Sequence, residues 1–597
     1  MNCDRFLSRD GEGLNALRSA VGGTTGDKMT AVHLKPSCFL FLCLFFQGAL
    51  SACTTGLASE CRNANFVPGA QLAGLGYDVV TLEPKGAFVI DMNTWQFANG
   101  SCILCHNEHL GNVRQRLPIS LVDWRTLSSC RRSISSQLYR SADKLAQSAT
   151  SDITNDWQVG LHLKGAKLVL AGSKSKLVSF GTSRSKNDRY SFTNHQFQCR
   201  YYQYRVKDKP LLAPEFARSL SSLPPNGKKD QYRKLVATYG THYLMSVELG
   251  GHFKDVTAIR TCEVASKGYT IEEVKDCLSM EASFTAQLRA GVSVRKKKCK
   301  KMARAIQHSD TVYQAFNDRE TEVTGGKVEQ GADLFFSGDS SAFSHWMNSL
   351  TSNPGTVRYD LVPLHHLFSM SDPKQKTLQR YISDYIMLNA LSKQCKVRAP
   401  CPHGSYRNPH QRCNCACREN NHVDRNCCPK EKGLGHLVVT VKEGRDLWGD
   451  VFTATDGYVV VRYGRQEART NVISNNNNPS WNTKLDLGEV KASSGHMLTI
   501  KVWDQDTIKS DDLLGKCEVS LTSGTHRKVC YLQYGKVTYD YTFTCGPHLG
   551  GATCQAYVAL PGSMAFTSYV GTTNHTLHLN TVMLNRSEPI FPVVYFP

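Results

Sequence analysis

Six aspartates late in the chain have the spacing of a cation site. Trp448, Gly449 and Asp450, followed by Thr455 and Asp456, lie in one polar stretch between apolar runs. Trp503, Asp504, Gln505 and Asp506, followed by Asp511 and Asp512, lie in another. Carboxylates gathered at one place repel one another, so their natural partner is a hard divalent cation with about six to eight oxygen ligands. Asp450, Asp456, Asp504, Asp506 and Asp512 are the candidate metal ligands, with Asp511 as a further one. The plainer alternative is a set of solvated acidic turns. Bond-making chemistry finds no such arrangement: His-Glu-x-x-His, Gly-x-Ser-x-Gly and Walker loops are absent, and His365-His366 reads as a surface or packed pair. The sequence argues against an enzyme.

A second stretch has a spacing suited to lipid. Met280, Ala282, Phe284, Ala286, Leu288, Ala290, Val292 and Val294 occupy every even position, and polar residues or glycine fill the odd ones. This period of two describes a strand with one oily and one polar face, longer than the roughly 9 to 11 residues that cross a bilayer at a tilt. The bulky members Met280, Phe284, Leu288 and Val292 also recur every fourth residue, which predicts a helix that buries one narrow stripe. Thr270 and Glu273 form a capping box upstream, a helical start signal. A transmembrane strand, a soluble hairpin and a soluble helix all remain open on pattern alone. Segments 168–178 and 190–204 offer a weaker second hairpin, interrupted by Lys174 and Lys176. The basic run from Arg295 to Lys301 sits near the expected hairpin tip, at about 2.5 to 3.5 kcal/mol per charge at mid-membrane. Insertion therefore requires many hairpins closing together into a barrel.

The elements that must position these residues span several modules, because 597 residues exceed one ordinary domain. The segment from Ser37 to Leu50 has the length of a signal peptide, with residues 1–28 an extension upstream of Met29. Export makes disulfides the expected state of the cysteines, Cys102 and Cys105 included. From Cys53 onward, nine precede Cys395, seven lie between Cys395 and Cys428, and four lie between Cys517 and Cys554. Two odd groups require a bridge between the first and second modules. Residues from Thr377 to Leu391 read as an amphipathic helix closing the first module. The next is too short to hold a core without bridges. Strands at 437–441, 458–463, 497–503 and 537–543, separated by turn signals such as Asn475 to Pro479, predict a β-sandwich. The last 40 or so residues read as polar or irregular. Asn99, Asn574 and Asn585 are glycosylation acceptors. A formal charge of +20 favours an acidic partner, but no aromatic-basic motif supports nucleic acid, which export also opposes.

Tyr239, Gly240, Thr241, His242 and Tyr243 end an amphipathic helix whose face is Tyr232, Leu235, Val236 and Tyr239, and they begin a strand that runs to Cys262. This motif resembles the signature of the membrane attack complex/perforin (MACPF) family, and the likeness extends through Trp157 to Leu161, Ala171 to Ser173, Tyr190 to Phe192 and Thr321 to Gly326. The resemblance implies an α+β fold: a bent four-stranded sheet with two helical clusters, near 166–196 and 265–300, that unfurl into transmembrane hairpins. Gly250, Gly251, Gly325 and Gly326 match the family's bend glycines, where a missing Cβ permits backbone rotation. The paired acidic loops, with Asn478 to Asn482, resemble a calcium-binding C2 domain. The implied order is MACPF module 53–394 after a signal peptide at 29–52, EGF-like region 395–433, C2 domain 434–546 and tail 547–597.

That resemblance implies a secreted, granule-stored cytolytic protein of immune killer cells. Ca2+ docks its C2 domain on the phospholipid membrane of a target cell, and copies assemble into a ring-shaped homo-oligomer whose hairpins form a β-barrel pore. Trp448, Val451, Phe452 and Ile508 would enter the lipid interface, and carboxylate protonation would weaken binding in an acidic granule. The competing expectation is a non-lytic secreted calcium- and lipid-binding adhesion or regulatory protein of the same family. Such a protein would tolerate charges at the even positions from 280 to 294, where none occurs.

Overall fold

The computed structural model describes residues 53–568 except 131–132, 165–167, 226–228, 287–292, 329–333, 335, 337–339, 396–404, 408–414, 450, 452, 493–494, 508–509 and 561–563. The expected mixed α+β architecture is present. Its centre is an antiparallel sheet built on two long strands, Tyr190–Val206 and His242–Arg260, paired along most of their length. Each is flanked by a strand broken in two. Leu121–Cys130 and Ser135–Tyr139 pair with the first, and Gly355–Pro363 and Arg319–Thr324 pair with the second. These make the bent four-stranded sheet that the resemblance implies, and Leu75–Asp78 and Glu83–Phe88 add two strands to it beyond the end of the first long strand, Leu75–Asp78 pairing with His242 and Tyr243.

The breaks fall on one line across the sheet. Cys130 faces Cys199, Gly251 also faces Cys199, Gly250 faces Gly355, and Thr324 faces His252. The Cys130–Cys199 disulfide fastens this line on one side. On the other, a Cβ on Gly325 would lie 2.3 Å from the Gly250 carbonyl, and φ is +73° at both Gly325 and Gly326. Gly250 and Gly251 are not in the left-handed region; what excludes a side chain there is close approach, 2.0 Å from a Gly250 Cβ to the Cys199 carbonyl. Glycine at 250 thus admits a neighbouring backbone, a different reason from the rotational freedom expected of it.

Helices cover the sheet beyond the break. Ile271–Thr285 starts at the expected capping box, with Thr270 Oγ1 accepting from Glu273 N–H at 3.2 Å and the Glu273 carboxylate accepting from Thr270 N–H at 3.0 Å. It packs through Val274, Cys277 and Leu278 on Cys299, Met302 and Ile306 of the helix Ser293–Gln307, and the Cys277–Cys299 disulfide joins the two. In the first cluster the helix Lys176–Arg184, capped by Ser175, lies beside Ala142–Ser148, and from Tyr190 onward the chain already belongs to the sheet. The helix Pro373–Asn389 buries Leu378, Ile382 and Ile386, as its periodicity predicts, but stops before Leu391, which opens a strand.

The bridge required by cysteine parity is Cys262–Cys428, joining the end of the long strand to the cysteine-rich segment. Cys102 and Cys105 are disulfide cysteines, paired with Cys61 and Cys53. The C-terminal sandwich consists of two four-stranded sheets. One is ordered Ser480–Lys491, Leu434–Arg445, Lys536–Cys545, Gly524–Tyr531; the other Gln466–Arg469, Gly457–Tyr463, Leu498–Asp504, Asp512–Val519. Leu437, Val439, Val441, Val459, Val461, Ile500, Val502, Tyr539 and Phe543 alternate inward and form its core. The segment after the sandwich is more regular than its composition suggests. Met564–Ser568 pairs with Leu391–Cys395, and Tyr557 O–H donates to the Asp188 carboxylate at 2.8 Å.

Candidate functional site

The two acidic loops meet at one end of the sandwich because Asp456, Asp504 and Asp512 terminate adjacent strands. Gly457 pairs with Asp504, and Asp504 pairs with Asp512. Asp456 N–H donates to Asp504 Oδ1 at 2.6 Å, and Gln505 N–H donates to the Asp456 carbonyl at 3.0 Å. Asp504 is 1% exposed, and it lies so close to Gly449 that a Cβ there would sit 1.8 Å from its Oδ2. Asp511 accepts from Tyr458 O–H at 2.5 Å and from Asp506 N–H at 3.2 Å. The Tyr458 hydroxyl, then that N–H, hold the Asp511 carboxyl below its ordinary range, while burial and Asp511 push Tyr458 up to about 12. Among the described residues no three carboxylate, imidazole or thiol side chains already close on a common point, and Asp450 lies outside those residues. An all-oxygen donor set on two touching loops, one carboxylate fully desolvated, suits a hard cation.

By sequence the run Asn475 to Asn478 reads as a turn signal, with Asn478 also part of the stretch that resembles a C2 domain. Its side chains hold the first acidic loop: Asn477 Oδ1 accepts from both Thr455 N–H and Thr455 O–H at 2.9 Å, Asn475 Oδ1 from Ala454 N–H at 3.1 Å, and Asn478 Oδ1 from Asp446 N–H at 3.0 Å. The signal was in the composition, since an asparagine amide presents a carbonyl to a neighbouring loop's backbone. Of the lipid-facing candidates, Trp448 is 48% and Val451 75% exposed; Phe452 and Ile508 lie outside the described residues.

The even-numbered apolar residues do not share a side of their helix. Ala282 and Ala286 are buried on Phe197, Phe253 and Leu334, Met280 is half-buried, and Phe284 is 59% exposed with Lys296 Nζ 5.2 Å from its ring centre. The expected stripe of bulky residues is therefore corrected: the helix buries its alanine stripe, because only small side chains allow the backbone to approach the aromatic wall. Leu288, Ala290 and Val292 lie outside the described residues, and Val294 falls in the helix Ser293–Gln307. Asn99 is exposed, whereas Asn574 and Asn585 lie outside the described residues.

Residues 66–395 match the MAC/Perforin domain and residues 435–534 the C2 domain. The chain is 38% identical over 535 residues to Perforin-1 of Mus musculus, across 86% of this chain and 96% of that protein. The chain belongs to the MAC/Perforin family. It is also 38% identical over 518 residues to Perforin-1 of Homo sapiens, across 85% and 93% of the two chains. A more distant relative, Complement component C8 alpha chain of Oryctolagus cuniculus, is 24% identical over 361 residues, across 55% of this chain and 61% of that one.

In this MAC/Perforin chain the Tyr239–Tyr243 motif is a buried knot. Gly240 takes φ +80°, with room for no Cβ beside the Tyr77 carbonyl at 2.4 Å. Thr241 N–H donates to Tyr77 O at 2.8 Å, and Thr241 Oγ1 accepts from Val79 N–H at 3.1 Å. His242 Nε2 donates to the Trp157 carbonyl at 3.0 Å, and Nδ1 accepts from the Thr241 hydroxyl at 2.7 Å. Desolvation lowers His242 to about 3, so the ring is neutral and structural. The MAC/Perforin signature thus ties the helix Lys229–Tyr239, the strand Leu75–Asp78 and the long strand together.

Proposed function

We propose that this chain is a secreted cytolytic protein. In this reading Ca2+ docks its sandwich on a target membrane, copies assemble into a ring, and the helical clusters extend into hairpins that line a β-barrel pore. The observation that carries the reading is the division of the even-numbered apolar residues. Among the described residues of the stretch, Phe284 faces solvent while Ala282 and, at the helix C-cap, Ala286 are buried, so the soluble fold does not place them on one side. In an extended strand the same residues share one oily face.

The Cys277–Cys299 bridge fits this change. Its cysteines are 22 positions apart, centred on residue 288, which leaves ten residues on each arm. A strand needs about 9 to 11 residues to cross at a tilt. Pairing symmetric about 288 sets 286 opposite 290, 284 opposite 292 and 282 opposite 294, so both arms present their apolar positions to one side. Lys296, Lys297 and Lys298 then lie beside the disulfide, at the end away from the turn. In that register the basic run stays at the headgroups and need not cross hydrocarbon, which removes the difficulty of placing it at the tip.

Asp450, Asp456, Asp504, Asp506, Asp511 and Asp512 would hold Ca2+, whose charge would neutralise the tip so that Trp448, Val451, Phe452 and Ile508 could approach lipid. Gly250, Gly251, Gly325 and Gly326 would let the sheet alter its bend. The test combines liposome flotation with release of an encapsulated dye, each with calcium and with chelator. Calcium-dependent flotation with release is the expected result. Flotation without release would favour the non-lytic adhesion or regulatory reading, and no calcium-dependent flotation would overturn the docking step.

A further inference from the structure

The turn between Gly524–Tyr531 and Lys536–Cys545 carries aromatic side chains to the same end of the sandwich as the acidic loops. Leu532 N–H donates to the Gly535 carbonyl at 3.1 Å and closes the turn. Gly535 has φ +79°, and a Cβ there would lie 2.4 Å from the carbonyls of Arg445 and Asp446. The turn is therefore pressed against the root of the loop that bears Trp448 and Asp450. From it Tyr534 reaches the Trp448 ring edge-on, centroids 4.9 Å apart and planes at 79°.

An edge-to-face aromatic pair in a soluble fold normally serves to bury area. This one buries little: Trp448 is 48% exposed and Tyr534 50%, with Val451 at 75% on the same loop as Trp448 and Tyr531 at 73% at the end of the strand that enters the turn. Gly449, next to Trp448, lies against Asp504, so the patch adjoins the acidic loops, and Tyr and Trp are the residues whose apolar body and polar tip suit the boundary between headgroups and acyl chains. An acidic tip repels an anionic surface until a cation neutralises it, so the patch should meet lipid only in the calcium-loaded state.

We infer that the turn at 531–535 is a third membrane-contacting loop, in which Tyr534 props Trp448 in a lipid-facing pose and both rings enter the interfacial zone of a phospholipid bilayer. The inference rests on the calcium-dependent docking proposed above and adds to it a loop that carries no acidic ligand. Tyr534 acts partly by positioning Trp448 and partly by its own burial.

The test is flotation of the full chain with phosphatidylcholine/phosphatidylserine vesicles at saturating calcium. Burying the exposed half of one aromatic ring predicts that Tyr534→Ala needs about tenfold more lipid for half-maximal binding, with Tyr531→Ala/Tyr534→Ala weaker still. Because Tyr534 is half exposed, thermal unfolding should be unchanged, and the calcium midpoint at saturating lipid should stay at the wild-type value. A Trp448→Phe/Tyr534→Trp variant should show fluorescence quenching by brominated lipid only with calcium. Wild-type flotation with unaltered binding by both alanine variants would overturn the inference and leave calcium docking intact. Loss of wild-type flotation would instead remove the docking on which it rests. A Tyr534→Ala effect on sedimentation without lipid would reassign the patch to contact between copies and also overturn it.

Discussion

Phe284→Asp tests the proposed inserted state separately from the soluble fold. In the helix Phe284 is 59% exposed, and its specific contact is the Lys296 ammonium 5.2 Å from its ring. Losing that contact removes about 0.5 to 1 kcal/mol, and a carboxylate in the last turn costs about 0.3 to 1 kcal/mol against the helix dipole. The substitution therefore changes folding stability by roughly 1 to 2 kcal/mol, with secretion and calcium-dependent flotation unchanged. On a lipid-facing barrel strand the same carboxylate would cost about 2 kcal/mol near mid-membrane, about thirtyfold per protomer. A ring whose hairpins enter together compounds that penalty. Dye release at fixed bound protein should fall by at least two orders of magnitude. Ser283→Asp is the control, since in the proposed barrel an odd position would face the lumen and release should stay near wild type. Equal release by wild type and Phe284→Asp at equal bound protein would refute the assignment of this stretch to the barrel wall.

A Ser136→Cys/Ser279→Cys pair, placed where the two hydroxyl oxygens are 2.6 Å apart, should tie the second cluster to the strand Ser135–Tyr139. Release should be abolished when the pair is oxidised and regained under mild reduction; lysis by the oxidised form would contradict unfurling. Asn477→Ala leaves the buried Thr455 with an N–H and an O–H that have lost their acceptor, at about 1 to 3 kcal/mol. The calcium concentration for half-maximal flotation should rise about tenfold, and an unmoved midpoint would show that the loop is held by other means. His242 and His252 are buried, and desolvation lowers them to about 3 and about 4 from an ordinary 6.5. A depressed histidine pKa means the unfolded chain takes up the proton first, so stability is full above about pH 6.5 and falls as pH drops toward 4, by about 2 kcal/mol per histidine at pH 5. The unfolding temperature should decrease from pH 7 to pH 5, and less steeply in His252→Gln; a flat or rising profile would contradict neutral burial.

What could be read from the sequence depended on whether the determining contact was local. The Thr270–Glu273 capping box, the inward alternation of Leu437, Val439 and Val441, and the inter-module bridge forced by cysteine parity are fixed by residue type and spacing, and each has its structural counterpart. The line of breaks across the sheet is different. It depends on Gly250 meeting Cys199 and Gly325 meeting Gly250, pairings between residues about 50 and 75 positions apart that no window of sequence displays. The Asn475–Asn478 run shows the same limit, because what its amides accept is decided by a loop about 20 residues earlier. The segment from 280 to 294 is a third case. Its four-residue period offers two stripes, and the sheet selects the alanines because Phe197 and Phe253 stand where a bulkier face would collide. Among its described residues the period of two has no counterpart in the soluble fold, which places Phe284 in water and Ala282 in the core. The inserted strand proposed above would put all of these residues on one side, which accounts for a pattern that those described residues do not use. In that proposal the centring of Cys277 and Cys299 on residue 288 would set a register in which both arms turn the same oily side outward.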